Sequence, residues 1–210
     1  MYPILNGKAG EKMIEKLSAK IVNYLLDNKA INDTADDKEF YQYGIEITIS
    51  SVLNVILILT IGLISGSLIE SIVFLLCFIP FRQFSGGFHA DSYLKCNTSF
   101  CICYILLIAL YNLTSEILST YIAVLISFVC VILIALKCPV ENPNKPISDN
   151  KKKIHKIIST IFAVSYSTAA LTLMSYSYKL GIIVLYTLLL ITVLVIIAIF
   201  NEWRCKYEKR

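Results

Sequence analysis

The chain has 210 residues, of which 57% are hydrophobic and 16% charged, and its mean hydropathy is +0.70. A soluble domain carries about 25% charged residues, so an ordinary water-soluble fold is excluded. The formal net charge of +4 would suggest nucleic acid in a soluble chain, but in a membrane chain topology explains it, with anionic lipid headgroups as the default partner of the basic residues and no nucleic acid.

In chain order, Glu11 to Asn28 reads as an amphipathic helix with Ile14, Leu17, Ile21 and Leu25 on one face and Lys12, Glu15, Lys16, Lys20 and Asn23 around the rest. Such a helix lies flat in the headgroup layer or packs on the protein's own surface. Asn32 to Asp37 suits a turn and N-cap, from which a new helix runs through Tyr41-Gln42-Tyr43-Gly44 into the first apolar run. Residues 1–43 form a cytosolic or interfacial helical region.

Apolar runs of roughly 17–25 residues cross a bilayer core, and helices satisfy their own backbone there. Six spans are expected at Ile45–Leu63, Leu68–Phe84, Asn97–Leu113, Ile117–Leu136, Ile157–Tyr178 and Leu180–Phe200. The fold class is therefore all-α: a polytopic membrane protein with six transmembrane helices and an amphipathic N-terminal helix, in one integral membrane domain, 1–210. Eighteen of the nineteen Lys and Arg residues fall on one side of this layout, and only Lys179 on the other. Positive residues favour the cytoplasmic side, which places both termini there. Glu46 lies just inside the first span, as an interfacial acid or a group orienting a catalytic one.

Ser65-Gly66-Ser67 reads as a tight external turn and Thr114-Ser115-Glu116 as another short connection. The second span is short before Arg82, which draws residues 82–96 toward the membrane, and Pro80 can kink its end. Residues 137–156 read as a basic cytosolic loop made extended by Pro139, Pro143 and Pro146, serving as a linker or as a cationic dock for an acidic ligand. The tail from Asn201 reads as a short basic anchor. None of the seven cysteines lies in an expected external loop, so a disulfide framework is not expected. There is no CxxC pair, and Cys101-Ile102-Cys103 sets two sulfurs on different faces of a helix. No metal site is expected, and no cofactor.

Reactive side chains concentrate in Arg82-Gln83-Phe84-Ser85-Gly86-Gly87-Phe88-His89-Ala90-Asp91-Ser92-Tyr93-Leu94-Lys95-Cys96. A cysteine becomes a strong nucleophile when a base or a positive dipole favours its thiolate. His89 is seven residues upstream of Cys96, and Asp91-Ser92 reads as an N-cap that puts Cys96 in the first turn of a helix, where free amides favour negative charge. Seven residues of unbroken helix would separate the pair by about 10 Å, so Gly86-Gly87 must let the backbone fold His89 over the helix start. By spacing alone the pair also reads as an interfacial histidine and a buried thiol.

The combination Arg82-x4-Gly87-x-His89-Ala90-x5-Cys96, followed by Pro139-x5-Lys145-Pro146-Ile147, resembles the accessory gene regulator B (AgrB) family of membrane endopeptidases. Length, six-span layout and basic loop resemble it too, so the likeness covers nearly the whole chain. What the resemblance implies is a cysteine endopeptidase in the plasma membrane of a Gram-positive bacterium, with an AgrD-like quorum-sensing propeptide as substrate and a homodimeric assembly. It implies His89 as general base and Cys96 as nucleophile, with Arg82, Gly87 and Lys145 supporting or binding substrate. The alternatives are a thiol peptidase releasing a linear product, a small transporter or channel without peptidase chemistry, and a binding scaffold. Transport usually demands ionisable residues at span centres, and few are found there.

Overall fold

A computed structural model describes residues 9–28, 30, 34–86, 93–140 and 148–208, and its regular structure is seven helices. They are α1 (Ala9–Asp27), α2 (Ala35–Ile64), α3 (Leu68–Ser85), α4 (Tyr93–Thr114), α5 (Thr120–Lys137), α6 (Asp149–Tyr176) and α7 (Tyr178–Glu208). No strand forms among the described residues. The last six each contain a stretch long and apolar enough to cross a membrane, so the chain is a multi-pass membrane protein of the all-α class.

The element bounds differ from the sequence expectation in four places, each for a local reason. Residues 82–96 are not one loop: α3 continues to Ser85 and α4 begins at Tyr93. Arg82 sits in the last turn of α3, where a cation suits the negative end of the helix, and Pro80 lies inside the helix without ending it. Residues 137–156 are likewise not one loop, because α5 runs to Lys137 and α6 restarts at Asp149. The lysine cluster 151–156 follows the last proline and is helical, in keeping with the good helix propensity of lysine. α5 begins at Thr120 rather than Ile117 because Ser119 caps it, its hydroxyl accepting from the Ile122 amide at 3.4 Å. The tail expected as an anchor continues α7 to Glu208.

The chain divides into two compact units. The first comprises Met1–Ile61 and Ala90–Ile102. Within it, Ile14, Ser18 and Val22 of α1 are buried, four residues apart on one face, while Leu17 and Ile21 are exposed. The buried face thus differs from the all-apolar stripe expected. Ser18 is the cause: its hydroxyl donates to Glu46 Oε1 at 3.0 Å, and Gln42 Nε2 donates to the same oxygen at 3.2 Å. Glu46 is thereby held by α1 and by its own helix, which reduces the cost of a carboxylate in an apolar span.

The second unit comprises Gly62–His89 and Cys103–Arg210. Its centre is α7, against which α3, α5 and α6 pack. Ile182 to Leu188 are all buried, as expected of a helix apolar on every side. Thr187 and Thr192, also buried, return their hydroxyls to the carbonyls of Ile183 and Leu188 at 2.7 and 2.9 Å, so no polar atom of theirs meets the core unpaired. At one end of this unit the Lys179 ammonium meets the Glu70 carboxylate at 2.5 Å and lies 5.8 Å from the Tyr111 ring centre. The Glu70 side chain is 8% exposed and Lys179 43%.

That asymmetry sets an order of damage. Lys179→Met strands a buried carboxylate and is expected to destabilise by about 2 kcal/mol, below the 3–5 kcal/mol of a fully buried broken pair because Lys179 is partly wetted. Glu70→Gln leaves an exposed ammonium and costs less. Thermal unfolding in micelles checks the order, and the double variant should be more stable than Lys179→Met alone.

Candidate functional site

Of the sequence-identified residues that the structure describes, Cys96 lies in the first unit and Arg82 in the second, and each is taken in its own. In the first unit, Cys96 is the fourth residue of α4 and is exposed. Its neighbour Asn97 is buried and accepts a hydrogen bond from the Ser50 hydroxyl of α2 at 2.9 Å. This contact fixes the rotation of the start of α4 about its own axis and so sets the direction Cys96 faces. Sequence reasoning missed both residues; the available signal was a polar side chain in each of two apolar runs.

In the second unit the end of α3 is built in detail. Gly86 caps the helix with φ 68° and ψ −154°, a region essentially closed to residues with a Cβ. Its carbonyl accepts from the Arg82 guanidinium and from the Ser85 hydroxyl at 3.3 Å. Gly86 also forms a parallel bridge with Val140, whose amide donates to the Ser85 carbonyl at 3.1 Å. Two segments 54 residues apart are thus clasped by their backbones just before the Gly87-x-His89 sequence and just after α5. Ser85, Cys138 and Val140 are buried and Gly86 is half-buried, so the bridge is partly shielded from water.

Aromatic packing anchors the clasp to α6. Phe81 meets Phe162 and Tyr166 at ring-centre distances of 5.9 and 5.6 Å, and Phe84 meets His155 edge-on at 5.5 Å. His155, the chain's second histidine, was given no role from the sequence; here it is a packing partner of Phe84.

Arg82 therefore has a visible structural task, holding the Gly86 carbonyl. Gly87, His89 and Lys145 lie outside the described residues, as do Asp91 and Ser92. Among the described residues no group of three or more His, Cys, Asp or Glu side chains could hold a metal ion.

Cys138 differs from Cys96 in accessibility. Burial pushes its thiol up from 9.0 to about 11, with the Arg82 charge pulling weakly the other way. A thiol with a pKa of about 11 is roughly one part in a thousand thiolate at pH 8, and only thiolate alkylates. Iodoacetamide at pH 8 is therefore expected to label Cys96 and spare Cys138. Labelling of Cys138 should rise about tenfold per pH unit toward 11, and peptide mass mapping reads both sites.

Comparison with known sequences bears on this arrangement. The profile of the family described as accessory gene regulator B matches residues 18–200. Two proteins of Clostridium perfringens type A, from strain 13 and strain SM101, carry names describing them as AgrB-like. Each is 28% identical to this chain over 146 residues, covering 67% of this chain and 67% of its own length. No solved structure matches.

Proposed function

The chain belongs to the accessory gene regulator B family, and from that premise we propose that it is a membrane cysteine endopeptidase acting on an AgrD-like propeptide. Membership itself supports a role in agr quorum sensing and a propeptide partner. The observation that carries the finer reading is Cys96, exposed in the first turn of α4, seven residues after the histidine of the Arg-x4-Gly-x-His run.

In the proposed reaction His89 takes the Cys96 proton and the thiolate attacks the carbonyl carbon at the end of the signal core. The C–N bond breaks, His89 returns the proton to the leaving amine, and the C-terminal tail departs. The core stays on Cys96 as a thioester. A cysteine thiol or serine hydroxyl of the same core then attacks the thioester carbonyl, its proton passing to the departing Cys96 sulfur, and a thiolactone or lactone ring is released.

Exchange between thioesters is nearly isoenergetic, so the ring depends on holding nucleophile and carbonyl together and on keeping water away. A site at a membrane boundary, with both termini on the cytoplasmic face, suits both needs. Arg82 and Gly87 support the histidine segment, and Lys145 docks substrate.

Product mass tests the proposal: the released core should be one water lighter than the linear peptide. A core–Cys96 adduct that hydroxylamine removes should accumulate when the core's own nucleophile is replaced by alanine. A linear product from the intact core and no adduct would overturn ring closure through a thioester.

A further inference from the structure

Between the end of α5 and the start of α6 lies a cavity of ≈ 570 Å³ lined by Lys137, Lys152, Lys153 and Lys156, with Cys138 and Pro139 at its buried side. No described carboxylate lines it. Lys137, Lys153 and Lys156 alone bring three positive charges to its lining, where they repel one another and focus a positive potential that an anion relieves.

Two apolar stripes lead away from this cavity. Along α5, Leu136 lines the cavity and heads the exposed series Leu136, Ile132, Val129 and Leu125. Along α6, Lys153 lines the cavity and heads the exposed series Ile157, Ile161 and Val164. Spacings of three and four residues put each series on one face of its helix, and both helices contain candidate membrane spans.

We infer that this cavity binds the phosphate headgroup of an anionic phospholipid, whose acyl chains lie along the α5 and α6 stripes. The lysines thus adjoin the lipid-facing apolar surface of both spans, where a phospholipid places headgroup and acyl chains together and a soluble acidic peptide reaches only the lysines. Basic pockets between transmembrane helices are established headgroup sites in other membrane proteins. The site also touches the clasp: Cys138 and Pro139 line it, and Val140 is the next residue.

The test uses the full-length protein in a neutral detergent, titrated with a fluorescent short-chain phosphatidylglycerol. The Lys137→Gln/Lys153→Gln/Lys156→Gln variant should bind about a hundredfold more weakly, at about 1 kcal/mol for each charge. Arginine at the same three positions should retain binding. Lys16→Gln/Lys20→Gln/Lys38→Gln, with the same loss of charge elsewhere, should stay within about twofold of the parent. Excess phosphatidylcholine should not compete.

Equal weakening by the two glutamine triples would overturn the site, as would unchanged binding in the first. Displacement of the lipid by inorganic phosphate alone would assign the lysines to a free anion. Displacement by a polyglutamate peptide would assign them to an acidic polypeptide, and either result overturns the lipid proposal. The readout is binding, so it stands apart from propeptide cleavage.

Discussion

Cys96→Ser is expected to insert into membranes normally and to cut its propeptide at least about a thousandfold more slowly than the parent chain. The exchange replaces one atom on an exposed side chain, so the fold has little reason to change. The chemistry has every reason to: a hydroxyl carries far less anion near neutral pH than a thiol, and a base matched to a thiol is poorly matched to it. His89→Ala should cost a similar factor, because in the proposed reaction the imidazole and the sulfur act as one unit. The double variant should therefore be scarcely slower than either single one. Cleavage followed by mass spectrometry, alongside membrane fractionation, reads both outcomes. Near-normal processing by either single variant would remove the proposed mechanism.

Gly86→Ala should reduce processing by about a hundredfold without touching a reacting group. A Cβ at this position would lie 2.2 Å from the Val140 carbonyl oxygen and 3.1 Å from its amide nitrogen. Backbone atoms cannot rotate away as a side-chain tip can. The φ of 68° adds strain of about 1–3 kcal/mol, so the parallel bridge should open. Gly86 is three residues before His89, and a displacement of about 1 Å in a catalytic group can cost a hundredfold in rate. Cys138, buried beside the bridge, should then become open to alkylation at pH 8, which a loss of activity alone would not produce. Gly66→Ala is the companion variant: its φ is 67° but nothing lies within 4 Å of the added atom. It should lose about 1–2 kcal/mol of stability and keep its activity. Full processing by Gly86→Ala with Cys138 still protected would show that the clasp does not position the histidine segment.

The transmembrane layout was legible in the sequence because composition and run length alone determine which segments suit a bilayer. The turn at Ser65-Gly66-Ser67 and the entry of α2 through Tyr41 to Gly44 were legible for the same local reasons. Features that depend on distant partners were not. Ser18 looks like a break in an apolar stripe until Glu46, 28 residues later, accepts its hydrogen bond. Asn97 looks like a polar residue at a helix end until Ser50 is seen to hold it. Gly86 was noticed as a source of backbone freedom, whereas its φ is fixed in one unusual value by Val140 across 54 residues of sequence. The proline-rich stretch after α5 made the lysines beyond it look like loop, although helix resumes at Asp149 once the prolines have ended. Arg82, Gly87, His89, Lys145 and Cys96 were readable as a motif, and their types and order are what the sequence could supply.

The burial of α7 bears on how the protein is made. Three earlier helices, α3, α5 and α6, find their common neighbour in the segment that the ribosome delivers after all of them. Until it arrives, the surfaces destined for Ile182 to Leu188 face lipid, and the second unit has only the direct contacts of α6 with α3 and α5. Assembly of this unit is therefore completed only when α7 is inserted, and a stop codon before Tyr178 would leave α3, α5 and α6 without their common neighbour.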